Sequence, residues 1–390
     1  MSWTICTLND ICDKANGHIQ TGPFGSQLHQ SDYSKTGTPV VMPKDIVNGT
    51  ISEENIARIS DEHVLHLSRH QVKTGDILFS RRGDVGRCAY ISKKEQGWLC
   101  GTGCLRVTVD TEIADSKFIF YYLQQPSSIG WIEKHAIGAT MLNLNTSILA
   151  NVPIMLPSLP AQRRIASILS AYDDLIENNQ KQIKLLEEAA QRLYKEWFVD
   201  LRFPGWENTK IVDGVPEGWE RATVGSLLRK ISRTKQILAC DYQIDGTIPI
   251  IDQSRDFIAG YTNNTEARIE LNEPIIVFGD HTRILKYITF PFAKGADGTQ
   301  LIISSSDRMP QSLFYFSLIH VDLSNYHYAR HFKYLKESVV LVPTRIIAQS
   351  FDSIVQSIMS RIQVLRDNSF KAIKVRNQLI PKLMSKETEV

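Results

Sequence analysis

The stretch Ala161–Phe198, AQRRIASILSAYDDLIENNQKQIKLLEEAAQRLYKEWF, constrains this chain more than any other. Ile165, Leu169, Tyr172, Ile176, Asn179, Ile183, Leu186, Ala190, Leu193 and Trp197 follow one another at alternating intervals of four and three residues, and Asn179 is the only polar member. A stripe this narrow is buried only by a helix running alongside it, so the spacing predicts a long helix in a coiled-coil pair. At 1.5 Å per residue such a rod is roughly 55 Å long. The alternative is a long core helix inside one globular domain. A second stretch weighs against it. Ala348–Leu383 carries Ala348, Phe351, Val355, Ile358, Ile362, Leu365, Ser369, Ala372, Arg376, Leu379 and Leu383 at the same alternating spacing. Each rod follows a proline-bearing strand end, NVPIMLPSLPAQ in one case and SVVLVPTRIIAQ in the other. Two rods with similar entrances point to a duplication in which each rod is the other's partner. Asn179 is then expected in the seam, fixing register at some cost in stability.

The rest of the chain repeats as well. Trp3–Ile11 realigns with Trp219–Leu227, and Val72–Ile91 with Leu271–Ile288. Gly101–Val107 matches Gly298–Ser304, and FIFYYL at Phe118 matches LFYFSL at Leu313. IGATMLNLN at Ile137 takes the place of ARHFKYLKE at Ala329, just before each proline strand. The matches keep their order, which predicts globular domain, rod, globular domain, rod. The boundaries fall at 1–157, 158–200, 201–344 and 345–390. Phe203-Pro204-Gly205 is expected to stop the first helix, and Pro381 to kink or fray the second.

A length of 390 residues suits two or more domains. No apolar run approaches the ~20 residues of a membrane span, and the N-terminus MSWTICTLND does not look like a secretion signal. The six cysteines (Cys6, Cys12, Cys88, Cys100, Cys104, Cys240) show neither a disulfide framework nor zinc-finger spacing, so buried thiols in a reducing cytoplasm are expected. A net charge of +2 does not by itself announce a nucleic-acid binder.

The basic residues are local instead. Arg81, Arg82 and Arg87 flank a glycine turn, SRRGDVGR, at the end of an apolar strand. His281, Thr282 and Arg283 occupy the matching turn of the second half. Arg330, His331, Lys333, Tyr334 and Lys336 form a basic–aromatic cluster, with Tyr326 and Tyr328 just before it. Such groups can neutralise phosphates and reach base edges in the major groove. A solvated charged turn is the plainer account of each residue taken singly, and their duplicated placement favours DNA. No methyltransferase tetrapeptide of the NPPY type, glycine-rich cofactor fingerprint or G-x-x-x-x-G-K-[ST] loop occurs. Asp76 and Asp84 read as turn residues.

GPFGSQL at Gly22, TGDILFSRRGDVG at Thr74, LPSLPAQRRIASILSAYDDLIENN at Leu156, FVDLRFPGWE at Phe198, VPEGWE at Val215 and LIPKLMS at Leu379 stand in an order that resembles the specificity subunits of type I restriction–modification enzymes. The resemblance covers nearly the whole chain, and its weakest part is the second entrance, RIIAQSFDSIV against PAQRRIASIL. It implies an α+β fold with two globular target-recognition domains separated by two long helices in an antiparallel coiled coil, related by an internal pseudo-twofold. It implies that each domain reads one half of a bipartite site in double-stranded DNA. The partners implied are two methyltransferase subunits and restriction/translocase subunits, with no membrane. The rod entrances, at Arg163, Arg164, Ile165, Ala348 and Phe351, are expected to dock the methyltransferases. The chain itself is expected to catalyse nothing and to hold no cofactor, with S-adenosylmethionine, ATP and magnesium in the partner subunits. A coiled-coil adapter and a stand-alone DNA-binding protein are the rival readings.

Overall fold

The computed structural model describes residues 3–12, 16–138, 140–231, 234–325 and 330–385, so Tyr326 and Tyr328 lie outside the described residues. The chain divides into two compact units, 1–177 with 369–390, and 178–368. Both cuts fall inside a long helix, so each unit is a globular part plus half of each rod. This differs from four consecutive segments, and the reason is packing: each half-rod shares a core with the globular part beside it.

In the first unit Thr4–Thr7 pairs antiparallel with Pro153–Leu156, the proline strand that leads into the first long helix. A four-stranded antiparallel sheet runs in the order His18–Thr21, Cys104–Thr108, Ile77–Ser80, Cys88–Tyr90. The continuous burial of Ile77, Leu78 and Phe79 explains why that stretch is apolar without alternation. A second sheet places Thr38–Val41 parallel to Leu99–Cys100 and antiparallel to Ala57–Ile59. The helix Ser116–Leu123, capped by the Asp115 side chain on the Phe118 N–H at 2.9 Å, lies in the core.

The second unit repeats these elements. Glu220–Thr223 pairs antiparallel with Val339–Val342, the proline strand before the second long helix. Ile275–Gly279 lies between Leu285–Ile288 and Thr299–Ile302, antiparallel to both. Phe292–Gly295 runs parallel to Ile248–Ile251 in the other sheet. The helix Gln311–Ile319 is the counterpart of Ser116–Leu123.

The two long helices are Leu159–Tyr194 and Arg345–Leu383. Every residue of both heptad seams is buried or half-buried. Asn179 is 3% exposed and its Nδ2 has no partner, so the seam carries the expected buried polar residue. In the second unit Glu187 meets Arg366 at 2.7 Å, and Tyr194 meets Phe351 with ring centroids 6.2 Å apart. Rising numbers on one helix face falling numbers on the other, so the pair is antiparallel there. In the first unit Asp173 pairs with Arg376, and Ile165 and Leu169 share one core with Ile380 and Leu383.

The helix ends differ from expectation. The first helix widens to a π turn over Lys195–Val199 and stops before Phe203. Leu201 takes the left-handed conformation, φ 57°, and the Arg202 N–H reaches back to the Glu196 carbonyl at 2.8 Å. That bond, one residue longer than a Schellman bond because of the π turn, closes the helix without a glycine. The second helix continues past Pro381 to Leu383, so the proline sits in its last turn. No described helix is long and apolar enough to cross a membrane. The cysteines are free, and burial pushes the Cys88 and Cys100 thiols up to about 12, which keeps them inert.

Candidate nucleic-acid interface

Each unit presents one turn at the end of its central strand, and hydrogen bonds fix both turns in the same way. In the first unit the strand Ile77–Ser80 turns at Arg81–Arg87, with Gly83 at φ 76°. The Arg81 N–H donates to the Gly103 carbonyl at 2.8 Å, and the Arg81 carbonyl accepts from the Leu144 N–H at 2.8 Å. In the second unit the Asp280 N–H donates to the Gly298 carbonyl at 2.7 Å, and the Asp280 carbonyl accepts from the His331 N–H at 2.9 Å. Arg81 and Asp280 are therefore equivalent, as are Leu144 and His331. The sheet registers agree, since Cys104 pairs with Ser80 as Thr299 pairs with Gly279.

This corrects two sequence matches, because pairing Leu144 with His331 shifts the match of Ile137 to Ala329 by five residues. Gly298 corresponds to Gly103 and not to Gly101, a slip of two residues. Gly101 has a different task. A Cβ at Gly22 would lie 2.0 Å from the Gly101 carbonyl oxygen, and a Cβ at Gly101 would lie 2.6 Å from the Val41 carbonyl oxygen. Gly22 lets the TGPFGSQL loop approach the backbone at Gly101, and Gly101 in turn lets the end of the strand Thr38–Val41 approach it.

The first turn keeps buried polar atoms without partners: Arg81 Nε, Thr102 Oγ1 and Asn143 Oδ1. The second keeps Thr299 Oγ1 and His331 Nδ1. Buried polar groups are normally satisfied, because each one left unpaired costs about 1–3 kcal/mol. Five of the eight such atoms among the described residues lie at the two equivalent turns; Arg106 Nε, Asn179 Nδ2 and the Tyr287 hydroxyl lie elsewhere.

The expected residues sort themselves by exposure. Arg82, Arg330, Lys333 and Lys336 are exposed. Arg82 and Arg330 make no side-chain hydrogen bond or ion pair among the described residues. Lys333 lies over the Tyr334 ring at 5.9 Å, and Lys336 over Phe332 at 5.3 Å. Arg81 is half-buried within its turn. His281 is exposed beside Thr282, whose hydroxyl donates to the Gln253 carbonyl at 2.7 Å. Arg283 is left-handed at φ 61° and donates to the Leu323 carbonyl at 3.0 Å.

Three groups of residues depart from expectation. Arg87 is committed to its own domain, donating to Asp84 at 3.0 Å and to the Ile46 carbonyl at 3.2 Å. His331 is 3% exposed, and burial together with the Arg283 guanidinium holds its pKa below the usual histidine value. It is a neutral pillar under the second turn. Ile165, Ala348 and Phe351 are buried in the units' own cores, at 1%, 0% and 0% exposure, so they hold the fold and offer nothing to a partner. Arg163 and Arg164 are exposed.

Gln253 escaped the sequence reading. Its Oε1 accepts from the His281 N–H at 3.1 Å and its Nε2 donates to the Asp297 carbonyl at 3.0 Å, tying three loops together. Only the strand–turn duplication could have flagged it.

A DNA specificity domain of the type I restriction–modification class is what this repeated sheet with its equivalent turns resembles. Residues 1–188 match the family described as the type I restriction modification DNA specificity domain. Over its whole length the chain is similar to the type I restriction enzyme MjaIX specificity subunit of Methanocaldococcus jannaschii, at 26% identity over 418 residues, covering 100% of this chain and 94% of that protein. The putative MjaX specificity subunit of the same organism is 25% identical over 287 residues, covering 71% and 64%. Among solved structures, the S subunit of a type I restriction–modification system from M. genitalium shares the fold, with a TM-score of 0.61 at 16% identity over 99% of this chain and 97% of that chain. The resemblance read from the motifs thus stands along the full chain.

Proposed function

We propose that this chain is the non-catalytic DNA sequence-specificity subunit of a type I restriction–modification complex. Each unit reads one half of a bipartite site, and the helix pair sets the spacing and docks methyltransferase subunits through exposed positions such as Arg163 and Arg164. The observation that carries this reading is the pair of equivalent turns, one presenting exposed Arg82 and the other exposed His281, Thr282 and Arg283. An adapter that never touched nucleic acid would have no use for either. S-adenosylmethionine, ATP and magnesium belong to the partner subunits on this reading.

The experiment is methylation of a library in which two half-sites are separated by every spacer length, in cells with and without this gene. Inserting one heptad into each rod at matched positions adds roughly 10 Å. At ~3.4 Å per base pair the preferred spacer grows by about three base pairs. Those base pairs also rotate the groove by about a third of a turn, so methylation at the new optimum is weaker. An extended protein that keeps the original spacer with full activity would refute the spacing role.

A further inference from the structure

In each unit one ionic hub joins three separate elements: the globular part and both long helices. In the first unit the hub is Asp173 on the first long helix. Its Oδ2 accepts from the hydroxyl of Tyr121, which is on the helix Ser116–Leu123 of the globular part. Its Oδ1 accepts from Arg376 Nη1 on the second long helix. Tyr121 is fully buried, and Arg376 is only 18% exposed. Burial and the Asp173 carboxylate push the Tyr121 hydroxyl well above the usual tyrosine value, so it stays a donor.

In the second unit the hub is Arg366 on the second long helix. Nη2 donates to Glu187 on the first long helix at 2.7 Å. The guanidinium lies 4.1 Å from the ring centroid of Phe257, which comes from the loop after strand Ile248–Ile251. The Ser312 hydroxyl adds a second bolt, donating to Asp352 on the same long helix at 2.6 Å.

Apolar packing alone would hold these elements together. It is non-directional, and it tolerates small rotations of a domain on a rod. A charge-assisted hydrogen bond or a stacked guanidinium does not, because each has a preferred direction. The half-buried ion pairs therefore add orientation where the cores add adhesion.

We propose that Tyr121, Asp173 and Arg376 in the first unit, and Arg366, Glu187 and Phe257 in the second, are positioning residues that lock each recognition domain at one angle on the helix pair and thereby set how sharply the complex discriminates spacer length. This rests on the DNA-reading function proposed above. None of the six residues belongs to the reading turns, so removing them leaves base preference intact. Loosening either joint lets one domain swing and accept a half-site that is displaced or rotated by one base pair.

The test is methylation of the spacer library by the assembled complex, comparing the parent chain with Tyr121→Phe, Asp173→Asn and Arg366→Met. Ile132→Val serves as the stability control, because Ile132 is fully buried in the first unit's core and lies in neither hub. The joint variants are expected to methylate the same half-site sequences. Their preference for the best spacer over its one-base-pair neighbours should fall about fivefold, the equivalent of one such hydrogen bond. Tyr121→Phe combined with Asp173→Asn should relax the spacer no further than Asp173→Asn alone. Ile132→Val should lower the melting temperature and leave the spacer profile unchanged. A melting loss in the joint variants with an unaltered spacer profile would reduce the hubs to ordinary packing and overturn the inference, as would altered base preference within a half-site. A parent chain that methylates no spaced bipartite site would remove the proposed function, and this inference with it.

Discussion

Phe351→Ala separates a docking residue from a core residue. Phe351 is fully buried. The rings of Phe198, Trp197, Tyr194 and Phe316 surround it, with centroids at 5.1, 6.0, 6.2 and 6.2 Å. Truncating a core phenylalanine costs about 3–5 kcal/mol from lost transfer energy and the cavity left behind. The edge-on contact with Phe198, at an interplanar angle of 89°, places the cost in the upper part of that range. Each kcal/mol shifts the melting temperature of a unit this large by about 2–4 °C, so the second unit should melt on the order of 10 °C lower. Calorimetry of the purified full chain is the assay, with the two units treated as separate transitions. A variant that melts within about 2 °C of the parent but no longer co-purifies with its methyltransferase would make Phe351 a docking residue and refute the core assignment.

The exposed entrance should behave in the opposite way: Arg163→Glu with Arg164→Glu should leave the melting temperature nearly unchanged, within the ±0.5 kcal/mol typical of surface changes, and abolish co-purification of the methyltransferase. Arg82→Ala should relax one position of one half-site by about 1–3 kcal/mol, and Arg283→Ala one position of the other, as read by methylome sequencing; effects that cross between half-sites would contradict one reader per unit. Burial and the neighbouring Arg69 and Arg106 guanidinium groups push the His70 pKa down to about 4. The unfolded chain therefore takes up this proton first, near pH 6.5, and stability is lost as the pH falls from there toward 4, by on the order of 2 kcal/mol. Urea titrations at pH 7 and pH 4.5 measure that loss, and His70→Gln should reduce it; an identical acid loss in the variant would assign it elsewhere.

What could be read in the sequence was whatever has a period. Both heptad seams are buried or half-buried throughout because a stripe at 3.5-residue spacing has one geometric solution. The same seams already contained Ile165, Ala348 and Phe351, so seam membership, and not likeness between the two entrances, decides their fate. The duplication was legible through its strands, yet the match of Gly101 to Gly298 was two residues out. A strand's side chains alternate with a period of two, so a two-residue slip leaves the pattern of inward and outward residues intact. The Gly103 and Gly298 carbonyls and the strand registers reveal it. The end of the first helix at Leu201 was hidden for a different reason. Leucine is a poor left-handed residue, and what stops the helix is the bond from Arg202 back to Glu196 rather than a local signal. The glycine turns were legible as turns. Which of their side chains face solvent was not, because Arg87 and His331 are claimed by loops distant in sequence.

The equivalence of Arg81 and Asp280 explains how a duplicated frame can carry two different readers. At both positions the main chain makes the same two bonds: one N–H given to a glycine carbonyl and one carbonyl accepting from the segment before the proline strand. The side chain is left out of that bonding, so the frame tolerates a cation in one unit and an anion in the other. Asp280 then spends one carboxylate oxygen on the Phe332 N–H, at 2.8 Å, which anchors the short helix His331–Glu337 bearing Lys333 and Lys336. In the first unit the charge sits on the turn itself, at Arg81 and Arg82. In the second a carboxylate stands where the first arginine would be, and the cations are Arg283 on the turn and Lys333 and Lys336 on the neighbouring helix. A reader built this way cannot rely on dense phosphate neutralisation by its own surface, which agrees with a net charge of only +2. On the proposed function, then, the chain's two turns supply discrimination between bases, and most of the salt-sensitive grip on the backbone is expected from the partner subunits that close around the DNA.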